Sequence, residues 1–215
     1  MPELPEVETT LRGIAPHILQ RQVSRLVIRQ PRLRWPIPDE LPSLLKGERL
    51  LGLRRRGKYL LFEFSCGHAL VHLGMSGSLR IVPTASEPGT HDHFDLEFGE
   101  LALRYHDPRR FGCLLWVEDE PEEHSLLAML GPEPLTDEFT AEYLFQRSRK
   151  RTQAIKQFIM DSHVVVGVGN IYANESLFMA RIKPIRKAGT LTRRNCEDLV
   201  RDIKFVLNRS IEQGG

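Results

Sequence analysis

The chain has 215 residues, 41% hydrophobic and 27% charged, with a formal net charge of +2. That composition fits a globular protein with one large core or two small ones, and it does not by itself announce nucleic acid. No apolar run reaches the length of a membrane-spanning helix and no basic-then-apolar leader opens the chain, so neither a membrane partner nor export is expected.

Cys66, Cys113 and Cys196 are scattered, form no CxxC pair and argue against a disulfide framework. A reducing cytoplasm is the expected compartment. Positive charge is clustered at Arg54, Arg55, Arg56 and Lys58, at Arg109 and Arg110, and at Arg147, Arg149, Lys150, Arg151 and Lys156. Acidic residues concentrate elsewhere, notably from Glu118 to Glu123. Such separation suits either a groove that meets phosphates or solvated helix faces.

The chain opens Met1-Pro2-Glu3-Leu4-Pro5-Glu6. Proline after the initiator Met favours removal of that Met, which leaves the secondary amine of Pro2 at the terminus. An α-amino group titrates near about 7.7–8.0, so a useful fraction is neutral and nucleophilic at physiological pH. Such an amine can attack a sugar carbon and form an iminium, and Glu3 and Glu6 supply carboxylates for acid–base work. The same residues also read as a helix start, with Pro5 at the first helical position and glutamates at the positive end.

Residues 6–18 follow a helical period, with Val7, Leu11, Ile14 and Ile18 on one face. Short β-type runs then occupy Val23–Arg29, Arg49–Arg55, Tyr59–Phe64, Ala69–Leu73, Ser78–Val82, Phe94–Phe98, Leu101–Tyr105 and Leu114–Val117. Many short strands in succession predict an antiparallel sandwich or barrel. Gly57-Lys58-Tyr59 places a lysine at a strand mouth, as a phosphate contact, a proton shuttle or a plain solubility residue.

His72-Leu73-Gly74-Met75-Ser76-Gly77-Ser78 is a glycine-flanked turn with Met75 at its tip. A methionine there is ordinarily a core residue; the alternative is an apolar wedge entering a base stack. His91, Asp92, His93 and Asp95 lack a distant partner to complete a ligand set, and no metal is expected there. His106-Asp107-Pro108-Arg109-Arg110-Phe111-Gly112 is a rigid loop. Its Arg-Phe pair suits stacking on bases and bonding to a base edge, or Phe111 turns inward in an ordinary hairpin.

After Gly131-Pro132-Glu133-Pro134, which reads as a linker, the period is helical at Ala141–Arg149, Thr152–Met160, Ile171–Ala180 and Arg194–Glu212. The segment Val165-Val166-Gly167-Val168-Gly169-Asn170 joins two of these helices. Asn170 is expected to cap the second, and the free amides at its start suit a phosphate. The spacing is not that of a dinucleotide site.

Taken together, PELPEVET, RRGKYLLF, HLGMSGSLR, DPRRFG, LGPEPL and VVGVGNIYANESLF resemble the bacterial formamidopyrimidine-DNA glycosylases in kind and order, over essentially all 215 residues. The resemblance implies an α+β fold: an N-terminal helix plus a two-sheet antiparallel β-sandwich (residues 1–131), then a helix–two-turns–helix domain (132–215). It implies a base-excision-repair glycosylase and AP lyase acting, as a cytoplasmic monomer, on duplex DNA with an oxidised purine opposite cytosine.

By position, Pro2 would be the nucleophile, Glu3 the acid that helps open the sugar, Glu6 its support, and Lys58 the phosphate contact and proton donor in β-elimination. Met75, Arg109 and Phe111 would fill the gap left by the flipped base. His91, Arg109, Arg110, Lys150 and Asn170 would hold DNA. The family continues past this chain's end into a loop over the damaged base and a four-cysteine zinc finger, which supplies an arginine for δ-elimination. The chain is therefore expected to be a fragment, with structural zinc belonging to the longer member and no ligand for it here. Two other expectations remain: an endonuclease VIII-like enzyme for oxidised pyrimidines, against which Leu4 and the DPRRFG form argue, and a non-catalytic DNA-binding fragment.

Overall fold

The computed structural model describes residues 2–118 and 120–215. They form two compact units, one of Pro2 and Val7–His124, the other of Glu3–Glu6 and Ser125–Gly215.

The first unit is built on eight strands and the helix α1 (Leu4–Ile18), which contributes Val7 onward. The strands are β1 (Arg25–Ile28), β2 (Gly52–Arg56), β3 (Tyr59–Phe64), β4 (Gly67–His72), β5 (Ser78–Pro83), β6 (Asp92–Phe98), β7 (Leu101–His106) and β8 (Cys113–Val117). They make two four-stranded antiparallel sheets, ordered β1-β6-β7-β5 and β2-β3-β4-β8. Alternation decides which side chains meet. Leu60, Phe62 and Phe64 of one sheet join Phe94, Leu96 and Phe98 of the other in a single apolar core, closed by Val7, Ile14 and Ile18 of α1.

The opposite face of β6 carries His93, Asp95 and Glu97, all buried. Asp95 is clamped between Arg29 (2.7 Å) and the buried Arg104 (2.8 Å), and Glu97 receives Arg25 at 2.9 Å. The guanidinium groups hold the Asp95 carboxyl below its usual range against the opposing effect of burial.

Several boundaries differ from the pattern-based ones. α1 begins at Leu4, two residues early, because the Glu6 carboxylate accepts the Glu3 N–H at 2.7 Å, half of a capping box. Pro5 is accordingly the second helical residue. The expected strand starts at Val23 and Arg49 lie in loop, tied by an isolated Gln22–Arg49 bridge and a bond from Val23 N to Glu48 O. The short helix α2 (Leu41–Leu45) was not anticipated; it buries Leu41 and Leu45 with one turn, too short to show a period.

The second unit holds α3 (Ala141–Ser148), α4 (Ile155–Met160), α5 (Asn170–Met179) and α6 (Arg193–Glu212). α4 starts three residues after the expected Thr152, because Gln153 O and Arg151 O accept from Ala188 and Gly189 instead of opening a helix. α6 opens with a reciprocal Thr192–Asn195 capping box, worth about 1 kcal/mol. It buries Leu199, Ile203 and Leu207 in a core that also contains Leu4.

Candidate functional site

Within the second unit, the N-terminal segment is seated on the glycine-rich bend. Leu4 N donates to Gly167 O at 3.1 Å. Glu3 is 1% exposed, and its carboxylate accepts from the amides of Gly169 (2.9 Å), Ile171 (3.0 Å) and Tyr172 (3.4 Å). The amides at the start of α5, expected to be free for phosphate, are thus filled by a carboxylate of the same chain. A helix N-terminus suits either anion, because its first amides lack internal partners and the dipole favours negative charge.

Asn170 is the first residue of α5 and exposed, and the capping position belongs to Gly169. The glycines make room. A Cβ on Gly169 would lie 2.3 Å from Glu3 Cδ, and one on Gly167, whose φ is +81°, would lie 2.5 Å from Leu4 Cδ1. Glu6 accepts a second bond, at 2.6 Å, from the Tyr172 hydroxyl, which also meets Ser210 Oγ at 2.6 Å. Burial, then the bond to Glu6, raises the Tyr172 phenol so that it stays protonated. Pro2, adjacent in sequence to Glu3, is half-buried; Met1 lies outside the described residues.

In the first unit, Gly57-Lys58 is the two-residue turn between β2 and β3, with Gly57 in the left-handed region at φ +58°. Of the basic run before it, Arg54 pairs with Glu122 (2.6 Å) and Arg55 with Glu8 (2.9 Å). Across the β3–β4 pair, His72 stands opposite Tyr59. Burial, then the charges of Lys58 and Arg34, push the His72 imidazole down to about 4. Its Nδ1 accepts the Gly74 N–H at 2.9 Å, which leaves the ring proton on Nε2.

The two turns singled out above present their tips to solvent. Met75 is 41% exposed and Phe111 44%, so neither the core methionine nor the inward phenylalanine describes them. The Arg109 guanidinium lies over the Phe111 ring, 4.6 Å from its centroid. Arg110 is exposed, with φ +56°. Met75 and Phe111 line one hollow with Arg34, His72 and Gly74. Asp107 of the same turn is fully buried; its Asp-Pro pair marks a loop residue and gives no sign of that burial.

His91 is exposed, with its ring edge-on to His106 at 5.9 Å. Its neighbours serve the sheet: Asp92 receives Arg80 (3.0 Å) and His106 (2.9 Å), while His93 Nε2 meets Asp107 O at 2.7 Å. Lys150 follows α3, exposed, with φ +60°. Before it, the Arg149 guanidinium lies over the Phe145 ring at 3.9 Å from its centroid, and that of Arg193 at 4.1 Å.

Among the described residues no group of three His, Cys, Asp or Glu side chains is placed to hold a metal. Burial pushes the thiols of Cys113 and Cys196 up to about 12 and about 11, and neither is grouped with two further side chains of the kinds that bind zinc. These residues do not fit a zinc site.

The chain matches the family model for the formamidopyrimidine-DNA glycosylase N-terminal domain over residues 1–114 and that for the formamidopyrimidine-DNA glycosylase H2TH domain over residues 130–215. A formamidopyrimidine-DNA glycosylase of Cellvibrio japonicus is 71% identical over 215 residues, covering 100% of this chain and 80% of the relative. The crystal structure of the MutM (Fpg) protein from Thermus thermophilus aligns with a TM-score of 0.88 at 38% identity, covering 100% of this chain and 77% of that one. The wild-type Lactococcus lactis Fpg (MutM), in complex with DNA containing N7-benzyl-Fapy-dG, aligns with a TM-score of 0.94 at 32% identity, covering 100% and 80%.

Proposed function

Because this chain belongs to the formamidopyrimidine-DNA glycosylase family, we propose that it excises oxidised purines, 8-oxoguanine and formamidopyrimidines, opposite cytosine in duplex DNA and then cuts the strand as an AP lyase. It works as a cytoplasmic monomer. The observation that carries this reading is the Glu3 carboxylate, buried and pinned by three backbone amides, one residue from Pro2. An anchor so fixed, one residue from the amine, supports this reading, because holding a reacting group in place supplies much of a catalytic advantage.

The neutral Pro2 amine attacks C1′ of the damaged nucleotide, and the base departs with the bonding pair and takes up a proton from water. The Glu3 carboxylate takes the N–H proton that Pro2 carries after the attack and passes it to the sugar-ring oxygen as the ring opens, giving an iminium between Pro2 and C1′. The iminium acidifies C2′; loss of that proton expels the 3′ phosphate, with Lys58 as phosphate contact and proton donor. Glu6 supports Glu3 through the first turn of α1.

Extruding the base costs a few kcal/mol. The exposed Met75 and Phe111 offset that cost by filling the gap, and Arg109 hydrogen-bonds the orphaned cytosine. His91, Arg110, Lys150 and Asn170 hold the backbone, so residues 1–131 and 132–215 both contribute to DNA binding. δ-Elimination and structural zinc belong to the part of the family beyond these residues, and no step here runs through the metal.

Borohydride trapping on duplexes containing 8-oxoguanine opposite cytosine tests the reading. A covalent adduct mapping to Pro2 is expected, and Pro2→Gly should lower trapping by roughly 100-fold, the size usual for losing a catalytic group. A cleaving protein with no adduct at Pro2 would overturn it. Faster cutting at thymine glycol would favour a pyrimidine enzyme. Salt-dependent binding without nicking would leave only a DNA-binding module.

A further inference from the structure

We propose that Asp107 is a positioning residue that locks the Met75 turn and the Arg109–Phe111 turn into one body and thereby sets discrimination of the base opposite the lesion. The inference rests on the reading above, in which these turns enter DNA.

Asp107 is fully buried, yet both its carboxylate oxygens are engaged. Oδ1 accepts from Ser76 Oγ at 2.7 Å and from Arg109 N at 3.2 Å; Oδ2 accepts from the Tyr105 hydroxyl and from Gly112 N, each at 3.0 Å. Its carbonyl meets His93 Nε2 at 2.7 Å, and its amide donates to His91 O at 3.0 Å. An ordinary Asx turn would need only the bond to Arg109 N, two residues on. The bond from Ser76 is of a different kind, because it crosses to the other turn, 31 residues away in sequence.

The backbones of the two turns also touch. A Cβ on Gly74 would lie 2.5 Å from both Gly112 N and Phe111 C, and one on Gly112 would lie 1.8 Å from the Tyr105 hydroxyl. Met75 follows Gly74 and precedes Ser76, while Phe111 precedes Gly112. Every tip residue is therefore itself fixed or adjacent in sequence to a fixed contact. The four bonds to the carboxylate outweigh burial and keep Asp107 ionised.

A wedge reads the opposite base through the height of Arg109 relative to Met75 and Phe111. A displacement near 1 Å in such a constellation is enough to lose function. Asp107 touches no DNA in this scheme; it acts through Arg109 and Ser76.

The test is steady-state excision of 8-oxoguanine opposite cytosine and opposite adenine, with kcat and KM separated, for Ser76→Ala and Asp107→Asn. Ser76→Ala removes only the bond between the turns, so it serves even if Asp107→Asn does not fold. The cytosine-over-adenine ratio of kcat/KM should fall at least threefold in Ser76→Ala and further in Asp107→Asn, with the loss concentrated opposite cytosine. An unchanged ratio, or an equal loss opposite both bases, overturns the proposal, since a merely structural role would act on both alike. If the unsubstituted protein excises from neither duplex, the underlying reading fails and this inference falls with it.

Discussion

Two buried carboxylates, Glu3 and Asp107, are held in opposite ways. Among the described residues, Glu3 is gripped only by backbone amides, from the start of one helix. Asp107 is gripped by two hydroxyls and two amides drawn from the Met75 turn, the Arg109–Phe111 turn and strand β7. A main-chain grip cannot be removed by trimming a partner's side chain; it can only be disturbed by adding atoms. A side-chain grip can be tuned one bond at a time. The chemistry proposed for Pro2 thus rests on a near-immutable frame, and the proposed reading of DNA rests on an adjustable one.

The comparison can be broken most forcefully at Glu3. Glu3→Gln puts donors against donors in a buried site and should lower excision by about two to four orders of magnitude. It should also cost about 1–3 kcal/mol of stability. Single-turnover excision and thermal unfolding measure the two losses, and near-normal activity would sink the role of Glu3.

A smaller effect is expected from Gly169→Ala, whose Cβ would fall 2.3 Å from Glu3 Cδ. Overpacking of this kind costs about 1–3 kcal/mol. Excision should fall with it, because Glu3 has no free direction in which to yield. A melting curve like that of the unsubstituted protein would mean that the anchor is looser than its three bonds indicate.

The smallest effect is the pH dependence that Asp107 contributes. Asp107 has its folded pKa lowered below the ordinary value of 3.8, so its contribution to stability is complete above about 3.8 and is lost as pH falls through the folded value. Thermal midpoints measured downward from pH 6 should therefore drop on the acid limb. In Asp107→Asn the limb should be shallower by at most about one proton, or about 1.4 kcal/mol per pH unit. An equally steep limb would assign the acid sensitivity to the other carboxylates whose pKa values are lowered, Glu8, Asp92, Asp95, Glu122 and Asp161.

The strands were legible because alternation is a local property: Leu60, Phe62 and Phe64 announce an inward face without reference to any distant residue. The exposed roles of Met75 and Phe111 were legible only as alternatives, since sequence does not report which way a turn residue faces. The pairing of Glu3 with Gly169 was not legible at all. Those residues lie 166 positions apart, and the glycine-rich bend gave a signal of close approach without naming what approaches. The expected cap at Asn170 fails for the same reason: a carboxylate from elsewhere in the chain does the work that a capping side chain would do. Ser76 and Asp107 passed as turn-formers because each residue type has an ordinary local use.

One consequence of the Leu4–Gly167 bond concerns how the protein is prepared. Chain ends usually fray, and a few extra residues are tolerated there. Here the backbone is already moored at the fourth position, with Leu4 wholly enclosed among apolar neighbours. A single vestigial residue from an affinity handle would carry the terminal amine about 3.8 Å from the place proposed for the Pro2 nitrogen, and the mooring at Leu4 and Glu3 leaves little slack to draw it back.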